Sequence, residues 1–272
     1  MDTLKIITSI KHPLLREPIH LKKWRGRDEN GKFLVEGHRE ILRAVERDFF
    51  PEKVFVSVPI SLKKEHAELI ALLADCNIPL TYCSSDVIDK LSCRDNSDGF
   101  LGIFKEKKLT IEDFFLESRQ KGLPFYLIIE GVEKPGNIGA ILRSADAAGV
   151  TGIFFCDMVV DLYNPNIIRS SLGTIFSVPV IEMISTKAYK LLKEKKIKII
   201  TTSPQGNISY SAMDYSEPLA LVFGSEKDGV TGFWSKSSDE IIFIPMKGYA
   251  DSLNVGMAVT VTLYEVLKQR EK

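Results

Sequence analysis

The second half of the chain carries five short runs that are apolar at almost every position. They are Phe125-Tyr126-Leu127-Ile128-Ile129, Gly152-Ile153-Phe154-Phe155, Ile197-Lys198-Ile199-Ile200, Leu219-Ala220-Leu221-Val222-Phe223 and Ile241-Ile242-Phe243-Ile244. A strand with one wet face alternates apolar and polar residues, whereas a strand without alternation needs cover on both faces. Helical stretches separate the runs, so the pattern predicts an α/β domain with a parallel sheet between helix layers. Sheets of this kind gather their loops and ligands at the carboxyl ends of the strands.

The rest of the composition narrows the chemistry. No apolar run reaches the roughly 20 residues of a membrane span, and Met1-Asp2-Thr3-Leu4-Lys5 lacks the basic-then-apolar order of a secretory leader. A soluble, cytoplasmic protein with no membrane partner is expected. Cys76, Cys83, Cys93 and Cys156 show no Cys-x-x-Cys spacing and have no histidines at metal-ligand intervals, so no metal is expected. His12, His20, His38 and His66 all fall in the first quarter, which leaves the second half without a histidine base or a Ser-His-Asp triad. Net charge is zero, with 36 basic and 36 acidic residues. The first 27 residues nevertheless hold Lys5, Lys11, Arg16, Lys22, Lys23, Arg25 and Arg27 against Asp2 and Glu17. A local basic excess of this kind attracts a phosphate backbone, although a solvated charged surface has the same composition.

The first hundred residues read as a smaller α/β unit. Strands are expected in residues 31–37 and 54–57, and helices in residues 40–45 and 65–73. The chain turns polar between Lys105 and Gly122, so residues 1–105 are read as one domain, 106–122 as a linker and 123–272 as a second domain.

Three segments of the second domain are candidates for chemistry. The first, Glu133 to Arg143, leaves a strand and enters a helix, with Asn137 as the expected N-cap and Ile138, Ile141, Leu142, Ala145 and Ala148 as its apolar stripe before Gly149. Arg143 falls off that stripe. The second is Gly224-Ser225-Glu226-Lys227-Asp228-Gly229, a loop at a strand's carboxyl end with an acid between two glycines. The third is Ile244-Pro245-Met246-Lys247-Gly248, followed by Ser252-Leu253-Asn254-Val255, with Ser252 as the expected N-cap of a last helix whose stripe is Val255, Val259, Leu263 and Val266. Each segment alone also fits an ordinary turn or helix start.

Together and in this order the segments resemble the motifs of the SpoU, or TrmH-like, branch of the SPOUT RNA methyltransferases. The carriers are Asn137, Gly139 and Arg143, then Gly224, Glu226 and Gly229, then Ser252-Leu253-Asn254-Val255. The stretch Asn164 to Gly173 resembles the connector between motifs, with Asn166 where lysine is frequent, and Gly256 stands where serine is common. Residues 1–105, through Phe33-Leu34-Val35-Glu36-Gly37-His38-Arg39, resemble the ribosomal-protein-like substrate-binding domain of rRNA-modifying members.

The resemblance implies a C-terminal parallel-sheet SPOUT domain with a deep trefoil knot, a fold feature too rare to infer from strand spacing. It implies a homodimer that uses S-adenosyl-L-methionine to methylate a ribose 2′-hydroxyl, with 23S rRNA as the expected substrate. Thr202, Gly224, Ile244 and Leu253 are the implied cofactor contacts. Asn137, Arg143, Glu226, Ser252 and Asn254 are the implied catalytic residues. Two alternatives remain open at this level: a tRNA 2′-O-methyltransferase, and a catalytically silent RNA-binding ribosome-assembly factor. A generic nucleotide-binding α/β enzyme would need a phosphate loop, and the sequence has no Gly-Lys-Ser/Thr signature.

Overall fold

The computed structural model describes residues 5–93 and 97–271. The chain forms two compact units. One contains the described residues up to Lys107 together with Asp161–Ser177; the other contains Lys108–Val160 and the described residues from Val178 onward.

The first unit is built on a sheet of β1 (Lys32–Glu36), β2 (Pro51–Ser57), β3 (Leu80–Cys83) and β4 (Phe100–Lys105) in the order β1-β4-β2-β3. Central β4 runs antiparallel to both neighbours, and β2 and β3 are parallel. One face buries Leu34, Phe55, Leu101 and Ile103 under Leu15, Leu21, Val87, Ile88 and Leu91. On β1 and β4, Phe33 and Phe104 stack 5.7 Å apart, and Phe33 also stacks on Tyr163 at 4.1 Å. Phe104 stacks on Phe176 at 6.0 Å. Residues 161–177, read from the sequence as part of the second domain, therefore complete the core of the first. A part-buried ion pair anchors their start, with Arg27 Nε donating to Asp161 Oδ2 at 2.6 Å and Nη1 donating to the carbonyls of Leu21 and Lys22.

This anchoring also alters the reading of the basic N-terminal segment. Arg27 is buried, Arg25 pairs with Glu29, and Lys22 donates to the Lys90 and Ser92 carbonyls, so these three cations serve the fold.

The second unit carries seven parallel strands in the order β7-β6-β5-β10-β8-β11-β9. They are β5 (Phe125–Glu130), β6 (Gly152–Cys156), β7 (Val180–Met183), β8 (Lys198–Thr202), β9 (Ile208–Ser209), β10 (Leu219–Phe223) and β11 (Glu240–Phe243). Every position of β5, β6 and β10 is buried, as continuous apolar strands require. One face packs Tyr126, Ile128, Phe154 and Val222 against Phe114, Phe115, Leu192 and Trp234. Successive strand residues point to opposite faces, and on the other face the Arg270 guanidinium of the last helix lies 5.0 Å over the Phe125 ring.

The expected linker contains a helix, Ile111–Arg119. Thr110 caps it through the Asp113 amide, and its Phe114 ring meets Phe154 at 4.7 Å. Its flanks are polar, but it presents a pair of large aromatics to the sheet and so belongs to the core of the second unit.

Candidate active site

Three strands of the second unit end around one cleft of about 360 Å³. Thr202 closes β8, Gly224 follows β10 and Ile244 follows β11, while Ser252 and Leu253 approach from the loop before the last helix; all five line the cleft. The lining thus includes all four residues expected at a cofactor, together with Glu226 and Ser252. Ser203, Gln205, Met246 and Asp251 complete the wall and carry no motif signal of their own in the sequence.

The loop after β10 folds back as a tight hairpin. Ser225 and Gly229 exchange both backbone hydrogen bonds at 3.0 Å, and Ser225 Oγ accepts from the Asp228 amide at 3.1 Å. A Cβ on Gly224 would stand 2.0 Å from the Gly229 carbonyl oxygen, so this hairpin can close only over glycine.

Asn137 has a different role from the one its position suggests. The helix runs Pro135–Ala147 with Lys134 at its N-cap, so Asn137 lies within the first turn. Its side chain is spent across the fold instead. Nδ2 donates to Glu226 Oε1, and Oδ1 accepts from Asn254 Nδ2 at 3.2 Å. Asn254, and not Ser252, is the N-cap of the last helix, Val255–Arg270, where its Oδ1 accepts from the Gly256 amide at 3.0 Å. One residue from each of the three motif segments therefore meets in a single hydrogen-bonded chain, Glu226–Asn137–Asn254. Asn166 lies elsewhere, in the first unit, where its Oδ1 accepts from Arg169 Nη2 at 2.8 Å.

The two motif helices pack closely to hold this chain. Ser144 Oγ and Thr260 Oγ1 lie 2.7 Å apart, and a Cβ on Gly256 would press to 3.3 Å of the Ala140 Cβ. A larger residue would have to push the helices apart. Both predicted apolar stripes are buried.

Arg143 is exposed on the Pro135–Ala147 helix and its side chain makes no hydrogen bond or ion pair among the described residues. Ser252 is likewise exposed. The Thr202 hydroxyl lines the cleft and is buried with no hydrogen-bond partner among the described residues. A buried hydroxyl left unpaired is costly, and this one is placed to be satisfied by a ligand. Among the described residues no group of three or more His, Cys, Asp or Glu side chains could hold a metal ion.

Comparison with known proteins bears on the family of the chain. The profile of the SpoU rRNA Methylase family matches residues 124–264, and that of the MRM3-like substrate binding domain matches residues 13–102. The crystal structure of an RNA 2′-O ribose methyltransferase aligns with 98% of this chain and 100% of its own, with a TM-score of 0.84 and 33% identity. The SpoU methyltransferase AviRb from Streptomyces viridochromogenes, in complex with the cofactor AdoMet, covers 96% of this chain and 99% of its own at a TM-score of 0.83 and 26% identity. The 23S rRNA (guanosine-2′-O-)-methyltransferase RlmB of Pectobacterium atrosepticum is 30% identical over 87% of this chain and 98% of its own. The chain is a member of the SpoU rRNA methylase family.

Proposed function

We propose that the protein transfers a methyl group from S-adenosylmethionine to a ribose 2′-hydroxyl of ribosomal RNA, in the large subunit. The observation that carries this reading is the convergence of Glu226, Asn137 and Asn254 beside a cleft at the strand ends. The cleft suits the cofactor: Phe223, Ile244 and Leu253 offer apolar surface, while Thr202, Ser203, Gln205 and Asp251 offer polar groups. The unpaired Thr202 hydroxyl fits a bound polar group.

S-adenosylmethionine, when bound, would supply an electrophilic methyl group on its sulfonium, whose carbon–sulfur bond breaks as the carbon–oxygen bond forms, with a neutral thioether as the leaving group. The protein has to align the ribose oxygen with that carbon and stabilise the charge that grows on it as its proton passes to the solvent. Arg143 is the residue for the second task. A guanidinium stays protonated and only donates, so Arg143 acts as a cation beside the developing alkoxide and the neighbouring phosphate, and not as a base. Asn137 and Asn254 hold Glu226 where it can orient the ribose or Arg143, and exposed Ser252 supplies a further hydrogen bond to the nucleotide.

Ribosomal RNA is favoured by relatives such as the 23S rRNA methyltransferase RlmB, and the first unit, which matches an MRM3-like substrate binding domain, would engage it. A cytoplasmic location follows from that substrate. The family's trefoil knot agrees with the strand order, in which β10 enters between the earlier β5 and β8. A homodimer accounts for the apolar stripe of Met257, Val261 and Tyr264 exposed along the last helix.

The test is methyl transfer from labelled S-adenosylmethionine to unmodified ribosomal RNA and, separately, to transfer RNA. Label in ribosomal RNA supports the reading. Label in transfer RNA alone contradicts the substrate, and no label in either contradicts the activity.

A further inference from the structure

We propose that Glu130 is a positioning residue that fixes the Gly224–Gly229 loop, and with it Glu226 and the cofactor cleft, through the Thr231 backbone amide. The inference rests on the function proposed above.

Glu130 ends β5 and is only 4% exposed, a place where an uncompensated carboxylate is costly. A carboxylate is tolerated there because donors surround it. Oε2 accepts from the Thr231 amide at 2.8 Å, and Oε1 accepts from the Thr231 hydroxyl and the Ser185 hydroxyl, each at 3.0 Å. Ser185 in turn accepts from Trp234 Nε1 at 3.1 Å and shares its hydroxyl hydrogen with Asp157 Oδ2 at 2.6 Å.

Thr231 is the exit of the loop whose residues Gly224 to Val230 line the cleft. Glu130 is also the entry to the segment that carries Asn137. The chain leaves β5 at Glu130 and reaches Asn137 in the first turn of the next helix. Both arms of the Asn137–Glu226 contact are therefore registered at one buried carboxylate, which is not among the residues that line the cleft.

If position and not charge is what Glu130 supplies, glutamine should replace it. The glutamine Oε1 can accept from the Thr231 amide, while its Nε2 donates to the two hydroxyls and frees the Ser185 hydrogen for Asp157. Aspartate keeps the charge but withdraws the carboxylate by one methylene and cannot reach Thr231.

The experiment measures S-adenosylmethionine affinity by calorimetry and methyl transfer at saturating cofactor, on the full chain, for wild type, Glu130→Gln and Glu130→Asp. We expect Glu130→Gln to stay within about threefold of wild type in both, and Glu130→Asp to lose roughly tenfold or more in cofactor affinity and in kcat, the scale of a misplaced site. The KM for RNA stays unchanged. The inference is overturned if Asp retains function and Gln loses it, if the two variants fall together, if both equal wild type, or if Glu130→Gln fails to fold. A wild-type protein that does not bind S-adenosylmethionine would instead overturn the function on which the inference rests.

Discussion

Asn137 donates through its side-chain amide to Glu226, joining segments 89 residues apart in the chain. The contact needs a donor at position 137 and an acceptor at 226. Asn137→Asp keeps the shape, removes the donor and sets two carboxylates against each other. Methyl transfer should fall by roughly 100-fold while the fold survives, because the site is exposed. Steady-state kinetics with a parallel thermal melt would check this.

Arg143 is exposed and has no partner among the described residues, so its loss should cost the fold little. Arg143→Ala should reduce single-turnover methyl transfer by roughly 100-fold, the effect of removing one preorganised charge stabiliser. Cofactor affinity, measured by calorimetry, should stay near wild type. A near-normal single-turnover rate would remove Arg143 from the mechanism.

The Thr202 hydroxyl separates binding from folding. Thr202→Val removes a buried polar atom that has no partner among the described residues, so the melting temperature should hold or rise. Affinity for S-adenosylmethionine should drop by roughly fivefold, the worth of one hydrogen bond. An unchanged affinity would show that this hydroxyl does not meet the ligand.

The first unit should be acid-sensitive. Burial raises the Glu17 carboxyl, but the hydrogen bonds from Lys32 and Lys53 outweigh it and hold the group below its ordinary value. The hydrogen bond from Lys32 does the same for Glu52. Carboxylates depressed in the folded state contribute stability that is complete above their ordinary value of 4.5 and is lost as pH falls through the folded value. Melting temperature should therefore decline as pH falls below 4.5. The Glu17→Gln/Glu52→Gln variant should melt lower at neutral pH and show a flatter profile in that acid window.

The parts legible in the sequence were those governed by local periodicity. The apolar runs marked β5, β6, β8, β10 and β11, and the stripes of Ile138 and Val259 marked the two motif helices. Edge strand β7 was missed because Glu182 interrupts a run of four residues, and β9 because it has only two. What the sequence could not disclose were choices made at long range. Tyr163 and Phe176 look like any aromatics of the second domain, yet they pack on Phe33 and Phe104 of the first unit. Asn137 has the residue type and place of an N-cap, yet its side chain is committed to Glu226 and Asn254. Glu130 reads as the polar end of an apolar strand, and only its buried donors identify it as a structural carboxylate.

The measurement that bears most directly on the central claim is nucleoside mass analysis of unmodified ribosomal RNA after reaction with the protein and methyl-deuterated S-adenosylmethionine. The account predicts deuterium in one 2′-O-methylnucleoside, and its absence with the Arg143→Ala protein. Deuterium on a nucleobase, or none in the RNA despite bound cofactor, would contradict it.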